Sequence, residues 1–190
     1  MKSSRENRVI ETPRLLIRLP QADDVKAILK ICNSEHVLRY NAMNKVSTAE
    51  LIKKFETPHE SYWTFHLVCK ESNEIIGAVF IEPDTLRYKV RSVSISYYLD
   101  EAKTQNGYMH EALNEVLNYI FTILKMDIVT ARVFSPNIAS IRLLKKLGFL
   151  HEGTLRHAVC GYEDVIYDDL LFSLFKSEFE YLENKKTISK

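Results

Sequence analysis

The chain has almost no imbalance of charge. Lys and Arg number 26 against 25 Asp and Glu, a formal net charge of +1 over 190 residues. No global field therefore draws it to nucleic acid or to anionic lipid. No basic stripe interleaved with aromatics marks a nucleic-acid surface either. Apolar runs are short, and none approaches the roughly 20 residues of a membrane span. The N-terminus MKSSRENRV is charged and lacks the apolar stretch of a secretory signal. Cysteine is scarce and odd in number: Cys32, Cys69 and Cys160. No pair has metal-ligand spacing, and none has a base beside it to make a nucleophile. They read as reduced thiols of a cytoplasmic protein. There is no internal repeat, low-complexity tract or linker.

What is present suffices for one sizeable core. The chain is 46% hydrophobic and 27% charged, as expected of one α/β domain. RLLIRLP (Arg14 to Pro20) is a short strand. Val25, Ile28, Leu29 and Cys32 then recur at helical spacing, with Asp23 or Asp24 as N-cap. STAE places Glu50 three residues after Ser47, the capping-box pattern of a second helix, which stops before Pro58. From Tyr62 the period changes. YWTFHLVCK, EIIGAVFIE and VRSVSISYYL read as three strands joined by short turns, an antiparallel meander.

Ala112, Leu113, Val116, Leu117, Ile120, Phe121 and Leu124 form the apolar stripe of a longer helix. DIVTARVF is a strand, and the helix of SPNIASIRLLKKLGF ends at Gly148. Leu150 to Phe175 reads as two strands broken near Gly161. The tail SEFEYLENKKTISK is polar and is expected to fray.

Gly107 stands where the longer helix begins. A glycine turn leaves free backbone N–H groups at a helix start, where the macrodipole favours an anion such as phosphate. The glycine alone also fits a core helix that merely begins there.

Other segments give that choice a context. NIASIRLLKKLGFLHEGTLR (Asn137 to Arg156) closely resembles the N-x-x-S-x-x-x-x-x-K-x-G-F-x-x-E-G block of the GNAT acyltransferases, in particular their ribosomal-protein N-terminal acetyltransferase subgroup. ETPRLLIRLPQADD resembles that subgroup's opening, E-T-x-R-L-x-L-R. NEIIGAVFIE and YDDLLFSLFKSEF resemble its third and closing strands. The resemblance runs from about Glu11 to Phe179. It implies a mixed, mostly antiparallel sheet of about seven strands flanked by helices.

It also implies acetyl-CoA as co-substrate, with no metal. The loop Q/R-x-x-G-x-G/A that holds the pyrophosphate aligns with Thr104, Gln105, Asn106, Gly107, Tyr108 and Met109. Gly107 matches, whereas Thr104, Gln105 and Met109 depart from the pattern. A backbone N–H between Ile95 and Leu99, with Tyr97, Tyr98 and Leu99 beside the cofactor arm, is the implied donor to the thioester carbonyl. Asn137 matches the asparagine that contacts the arm, and equally serves as N-cap for its own helix. Ser140 matches a serine near the sulfur, where it can donate a proton, while the tyrosine that many relatives place four residues later is Leu144. Arg142, Lys145 and Lys146 can meet the 3′-phosphate or form a solvated helix face.

The catalytic glutamate of the fourth strand is replaced by Ser94. Candidate bases are then Glu152, His66, Tyr97, His157 and Asp168, with water-mediated deprotonation as the alternative. The implied function is transfer of an acetyl group to a primary amine, either a protein N-terminus or a small molecule. The region from Asn33 to Thr57 and the loop near Gly161 would line the acceptor site. Glu163, Asp164, Asp168 and Asp169 would offer carboxylates to a polycation, or stand as ordinary charges around a hairpin. The alternative function is a degenerate domain that binds acyl-CoA as a sensor or interaction module. Tyr97, Tyr98 and LLFSLF read as core or dimer surface, and a homodimer through the last strands is compatible with them.

Overall fold

The alternation of Val93 and Ile95 with serines sends two apolar side chains to one face of a strand and the hydroxyls of Ser92, Ser94 and Ser96 to the other. Residues 65–69, by contrast, are buried on both faces. In the computed structural model, which describes residues 9–42, 44–56 and 63–188, the sheet has eight strands in the order β1-β2-β3-β4-β5-β6-β8-β7. They are β1 (Val9–Glu11), β2 (Leu15–Arg18), β3 (Trp63–Cys69), β4 (Ile75–Pro83), β5 (Ser92–Leu99), β6 (Ile128–Phe134), β7 (Leu150–Cys160) and β8 (Ile166–Phe175). All neighbours are antiparallel except β5 and β6, which run parallel. The mixed, mostly antiparallel architecture is as expected. The strand count is eight rather than about seven, because Val9–Glu11 adds an edge strand paired with β2. Three residues are too short to show a period in sequence.

Ile81, Ile95, Ala131 and Phe172 lie on one face in register. They join the main core with Ala112, Val116 and Ile120 of α4 (Tyr108–Thr122) and Leu144 of α5 (Ile138–Lys146). A second core forms on the other face, where Ala78 and Tyr98 meet α1 (Val25–Cys32), α2 (Glu35–Leu38) and α3 (Thr48–Glu56). The capping box of α3 forms: Ser47 N–H donates to Glu50 Oε2 at 2.7 Å, and Glu50 N–H to Ser47 Oγ at 3.3 Å. Its expected stop before Pro58 agrees with the last helical residue, Glu56, and Pro58 lies outside the described residues. The polar tail forms a helix, α6 (Lys176–Ile188), anchored by Phe179 against Phe121.

Gly77 is needed for close approach: a Cβ there would stand 2.4 Å from the Tyr98 carbonyl oxygen. β4 and β5 could not then keep their register.

Asp24 is not a simple N-cap. It is buried, and Arg18 donates to both its oxygens at 2.8 Å. The Gln21 N–H donates to Oδ2 at 2.7 Å, and His66 Nδ1 lies 2.6 Å from the same oxygen. Burial opposes its charge, but the bonds from Arg18, His66 and Gln21 outweigh it and hold the carboxyl well below the usual range. This network ties β2 and β3 to the start of α1. Removing one partner of a buried pair costs about 3–5 kcal/mol, so Asp24→Asn is expected to lower stability by about that much near neutral pH in urea denaturation. A depressed folded pKa contributes stability above the unfolded value of roughly 3.9. That stability is lost as pH falls toward the folded value, so the gap between wild type and Asp24→Asn should shrink in acid.

Candidate active site

Strand pairing itself makes a gap in the sheet. β5 and β6 pair over four residues, from Ser92 with Ile128 to Ile95 with Ala131. Beyond that, β5 stays with β4 as far as Leu99, and β6 stays with β8 as far as Phe134. The two strands therefore part after Ile95 and Ala131. Asp100 N–H donates to the Ile76 carbonyl at 2.7 Å. Antiparallel ladders alternate bonded and non-bonded pairs, so Ser96 and Tyr98 turn their backbone groups to β4. The N–H groups of Tyr97 and Leu99 point the other way, into the gap.

At the mouth of the gap lies the loop of residues 104–109. The Thr104 hydroxyl donates to the Glu101 carbonyl at 2.8 Å, and Asn106 Nδ2 to the Thr104 carbonyl at 2.9 Å. These side chains shape the loop and leave its front to the backbone. Gln105 and Gly107 adopt left-handed φ of 61° and 77°, and no side chain caps the start of α4. Met109 departs from the small residue of the pattern, but its side chain is buried in the main core and does not fill the mouth. Tyr108 packs against that core as well.

Sequence reasoning gave Arg14 no role. Its Nη1 donates to the Asn106 carbonyl at 2.9 Å, its Nε to Glu111 Oε2 at 2.6 Å, and its guanidinium lies 4.5 Å over the Tyr108 ring. An Arg14–Glu111 ion pair thus stands beside the loop and braces it.

The N-terminus of α5 flanks the gap. Asn137 Oδ1 accepts from Ser140 N–H at 3.1 Å, the N-cap bond expected of it. The hydroxyls of Ser140 and Tyr97 are 2.7 Å apart. Burial pushes the Tyr97 phenol up to about 12 despite the lowering effect of the Ser140 bond. Tyr97 therefore keeps its proton and is a donor rather than a base. Leu144 is fully buried. Arg142 and Lys145 are exposed, and no ion-pair partner occupies them among the described residues. Leu99 packs on the main core. The Tyr98 ring faces the opposite core against Phe80, so Tyr98 gives no side chain to the gap.

On the face opposite α4 and α5, a cavity of about 270 Å³ reaches the fork where β5 and β6 part. Glu82, Arg87, Ser94, Thr130, Arg132 and Glu152 line it. Glu152 accepts from Arg87 at 2.7 and 2.8 Å and from Ser173 Oγ at 2.7 Å, and Asp84 accepts from Arg87 at 3.0 Å. Arg132 Nε donates to Asp169 Oδ2 at 2.5 Å. Asp169 is thus buried rather than part of an exposed carboxylate mouth, and its Oδ1 has no donor. Glu82 lies directly opposite Ser94 in register. No hydrogen bond or ion pair engages it among the described residues, and burial pushes its carboxyl upward. Sequence reasoning passed over Glu82, although alternation along EIIGAVFIE places it on the face away from Ile81.

The other candidate bases lie elsewhere. His66 is buried against Asp24. Asp168 accepts the His157 backbone N–H at 2.8 Å within the β7–β8 hairpin. No group of three or more His, Cys, Asp or Glu suited to a metal occurs among the described residues, and no described helix is long and apolar enough to cross a membrane.

A sheet parted between two parallel strands, with a glycine turn at the mouth, agrees with the comparison to known families. Residues 14–150 match the acetyltransferase (GNAT) domain, so the chain belongs to the GNAT acetyltransferase family. It is 29% identical over 177 residues to YoaA, an uncharacterized N-acetyltransferase of Bacillus subtilis (strain 168), covering 88% of this chain and 97% of that one. Two solved structures share its fold at 20% identity. Spermidine N-acetyltransferase from Vibrio cholerae, in complex with CoA and spermine, has a TM-score of 0.79, covering 88% of this chain and 99% of that one. Ribosomal-protein-S5-alanine acetyltransferase from Vibrio fischeri has a TM-score of 0.77, covering 91% and 99%.

Gly107 tests the loop. A Cβ there would meet Arg14 Nη2 at 3.4 Å, and a branched side chain at φ 77° is strained. Gly107→Val is expected to weaken CoA binding at least about tenfold by calorimetry, a difference of about 1.4 kcal/mol, with the far-UV circular dichroism of the fold retained.

Proposed function

We propose that the chain is an acetyl-CoA-dependent N-acetyltransferase that moves an acetyl group to a primary amine by direct transfer in a ternary complex. The observation that carries this reading is the gap between β5 and β6, with a left-handed glycine loop at its mouth and the Tyr97–Ser140 hydroxyl pair beside it. Acetyl-CoA supplies a thioester already activated toward amines. Positioning can then provide much of the rate.

In this reading the loop from Thr104 to Met109 and the start of α4 hold the pyrophosphate through backbone N–H groups and the helix dipole. Arg14, ion-paired with Glu111, holds the loop through its bond to the Asn106 carbonyl. Arg142 and Lys145 meet the 3′-phosphate. The N–H groups of Tyr97 and Leu99 bind the arm and the thioester oxygen as charge develops on it. Asn137 fixes the first turn of α5 and so the place of Ser140. Ser140 donates a proton to the departing sulfur, and Tyr97 resupplies Ser140. We assign Glu152 a positioning role, because Arg87 and Ser173 already engage its carboxylate.

The opening E-T-x-R-L segment and the NIAS and KKLGF segments favour the ribosomal-protein N-terminal acetyltransferase subgroup. The acceptor is a protein N-terminus or a small amine, whose amino end enters the cavity below the fork. The sensor alternative would leave the hydroxyl pair and the cavity without a task.

The test is steady-state thiol release from acetyl-CoA with spermidine, an alanine-initiated tetrapeptide and lysine amide as acceptors. Ser140→Ala and Tyr97→Phe are each expected to lower kcat about 100-fold with little change in the KM for acetyl-CoA. The double variant should lose no more than either single one, since the two hydroxyls act as one relay.

A further inference from the structure

Most charged groups around the cavity already have partners. Arg87, in the loop after β4, bonds to Asp84 and to Glu152 of β7, and Arg132 of β6 bonds to Asp169 of β8. Four carboxylates, counting Glu82 and Asp169, face two guanidiniums, so this side of the sheet is formally negative by two. Asp169 Oδ1 is buried without a donor, so the surplus is not cancelled locally. Such a site favours a cation. Glu82 is the one cavity carboxylate with no partner among the described residues, and it projects beside Ser94, one residue before the last β5–β6 pair at Ile95. A carboxylate here stands within about one strand spacing, roughly 5 Å, of the fork.

We propose that Glu82 receives the acceptor's ammonium and takes its proton, serving from β4 as the general base of the reaction. The inference rests on the acetyltransferase reading above. The ammonium hydrogen-bonds to the Glu82 carboxylate, which accepts one proton and becomes a neutral acid. The freed nitrogen lone pair forms the new bond to the thioester carbonyl carbon, and the carbon–sulfur bond breaks. The nitrogen gives up two protons in all. One leaves through Glu82 to water. The other is lost to water from the tetrahedral adduct, and water returns one proton to Tyr97 to replace the one that sulfur gained by way of Ser140. The upward push of burial on Glu82 suits it to this task, since a base works best when its pKa lies near the working pH. The charged groups facing it are Asp84 and Arg87 from its own loop, Arg132 from β6, Glu152 from β7 and Asp169 from β8. Asp84 and Glu152 are engaged by Arg87, and Asp169 by Arg132.

Two measurements decide the matter. The first follows the side-chain carboxyl carbon of Glu82 by NMR in 13C-labelled protein saturated with CoA, the signal being assigned by its loss in Glu82→Gln. A midpoint above the ordinary glutamate value of about 4.3 is expected, and a midpoint at or below it overturns the proposal. The second is steady-state kinetics with the three acceptors named above. Glu82→Gln should lower kcat at least about 100-fold, leave CoA affinity unchanged by calorimetry and abolish the acidic limb of the kcat/KM profile, while Glu82→Asp restores part of the rate. If the wild type turns over an acceptor and Glu82→Gln stays within threefold with the same acidic limb, the role of Glu82 is overturned and the acetyltransferase reading stands. If the wild type turns over none of them and does not bind CoA, the acetyltransferase reading falls and takes the role of Glu82 with it.

Discussion

Everything at the site follows from one constraint on pairing. β5 stays with β4 as far as Leu99, and β6 with β8 as far as Phe134, yet the two central strands pair with each other over only four residues. A sheet that parts leaves backbone N–H groups without partners, normally a liability to be satisfied. Here the parted edge presents a short row of fixed donors between a helix N-terminus and a hydroxyl pair. Fixed donors need no reorganisation when charge develops, which is why such a defect serves transfer chemistry.

The two faces of the same strands divide the labour. Val93, Ile95, Val129 and Ala131 carry the helical layer that holds the loop and the Tyr97–Ser140 pair. Glu82, Ser94, Thr130 and Arg132 carry the polar cavity on the reverse. A period of two thus places the proposed proton donors and the proposed base on opposite faces of the sheet. Tyr97 is forced by burial to keep its proton, and Glu82 is urged by burial to gain one. The same desolvation thus suits the two groups to the opposite roles proposed for them.

The framework could be read from sequence because it rests on local signals. Helical spacing, the Ser47–Glu50 box, alternation in SVSISYY and the glycine after Leu147 each speak over a few residues. Asn137, Ser140 and Gly107 could be placed because they sit in a recognisable block. What could not be read depends on contacts across long sequence separation. Arg14 reaches the loop from 92 residues away, Arg87 meets Glu152 from 65 away, and Tyr97 finds Ser140 from 43 away. Glu152 looked available in sequence only because Arg87 and Ser173 were not yet beside it. Thr104 and Met109 looked like defects of the loop, but one folds it and the other is buried beneath it.

The close of the fork also gives the gap a fixed floor. The last bonded pair, Ile95 with Ala131, is held from both sides by β4 and β8. In the proposed reading, a group that enters the gap would meet backbone there rather than a side chain. A point substitution changes a side chain and leaves that backbone in place, so the depth of the gap is a property of the sheet and not of any one residue.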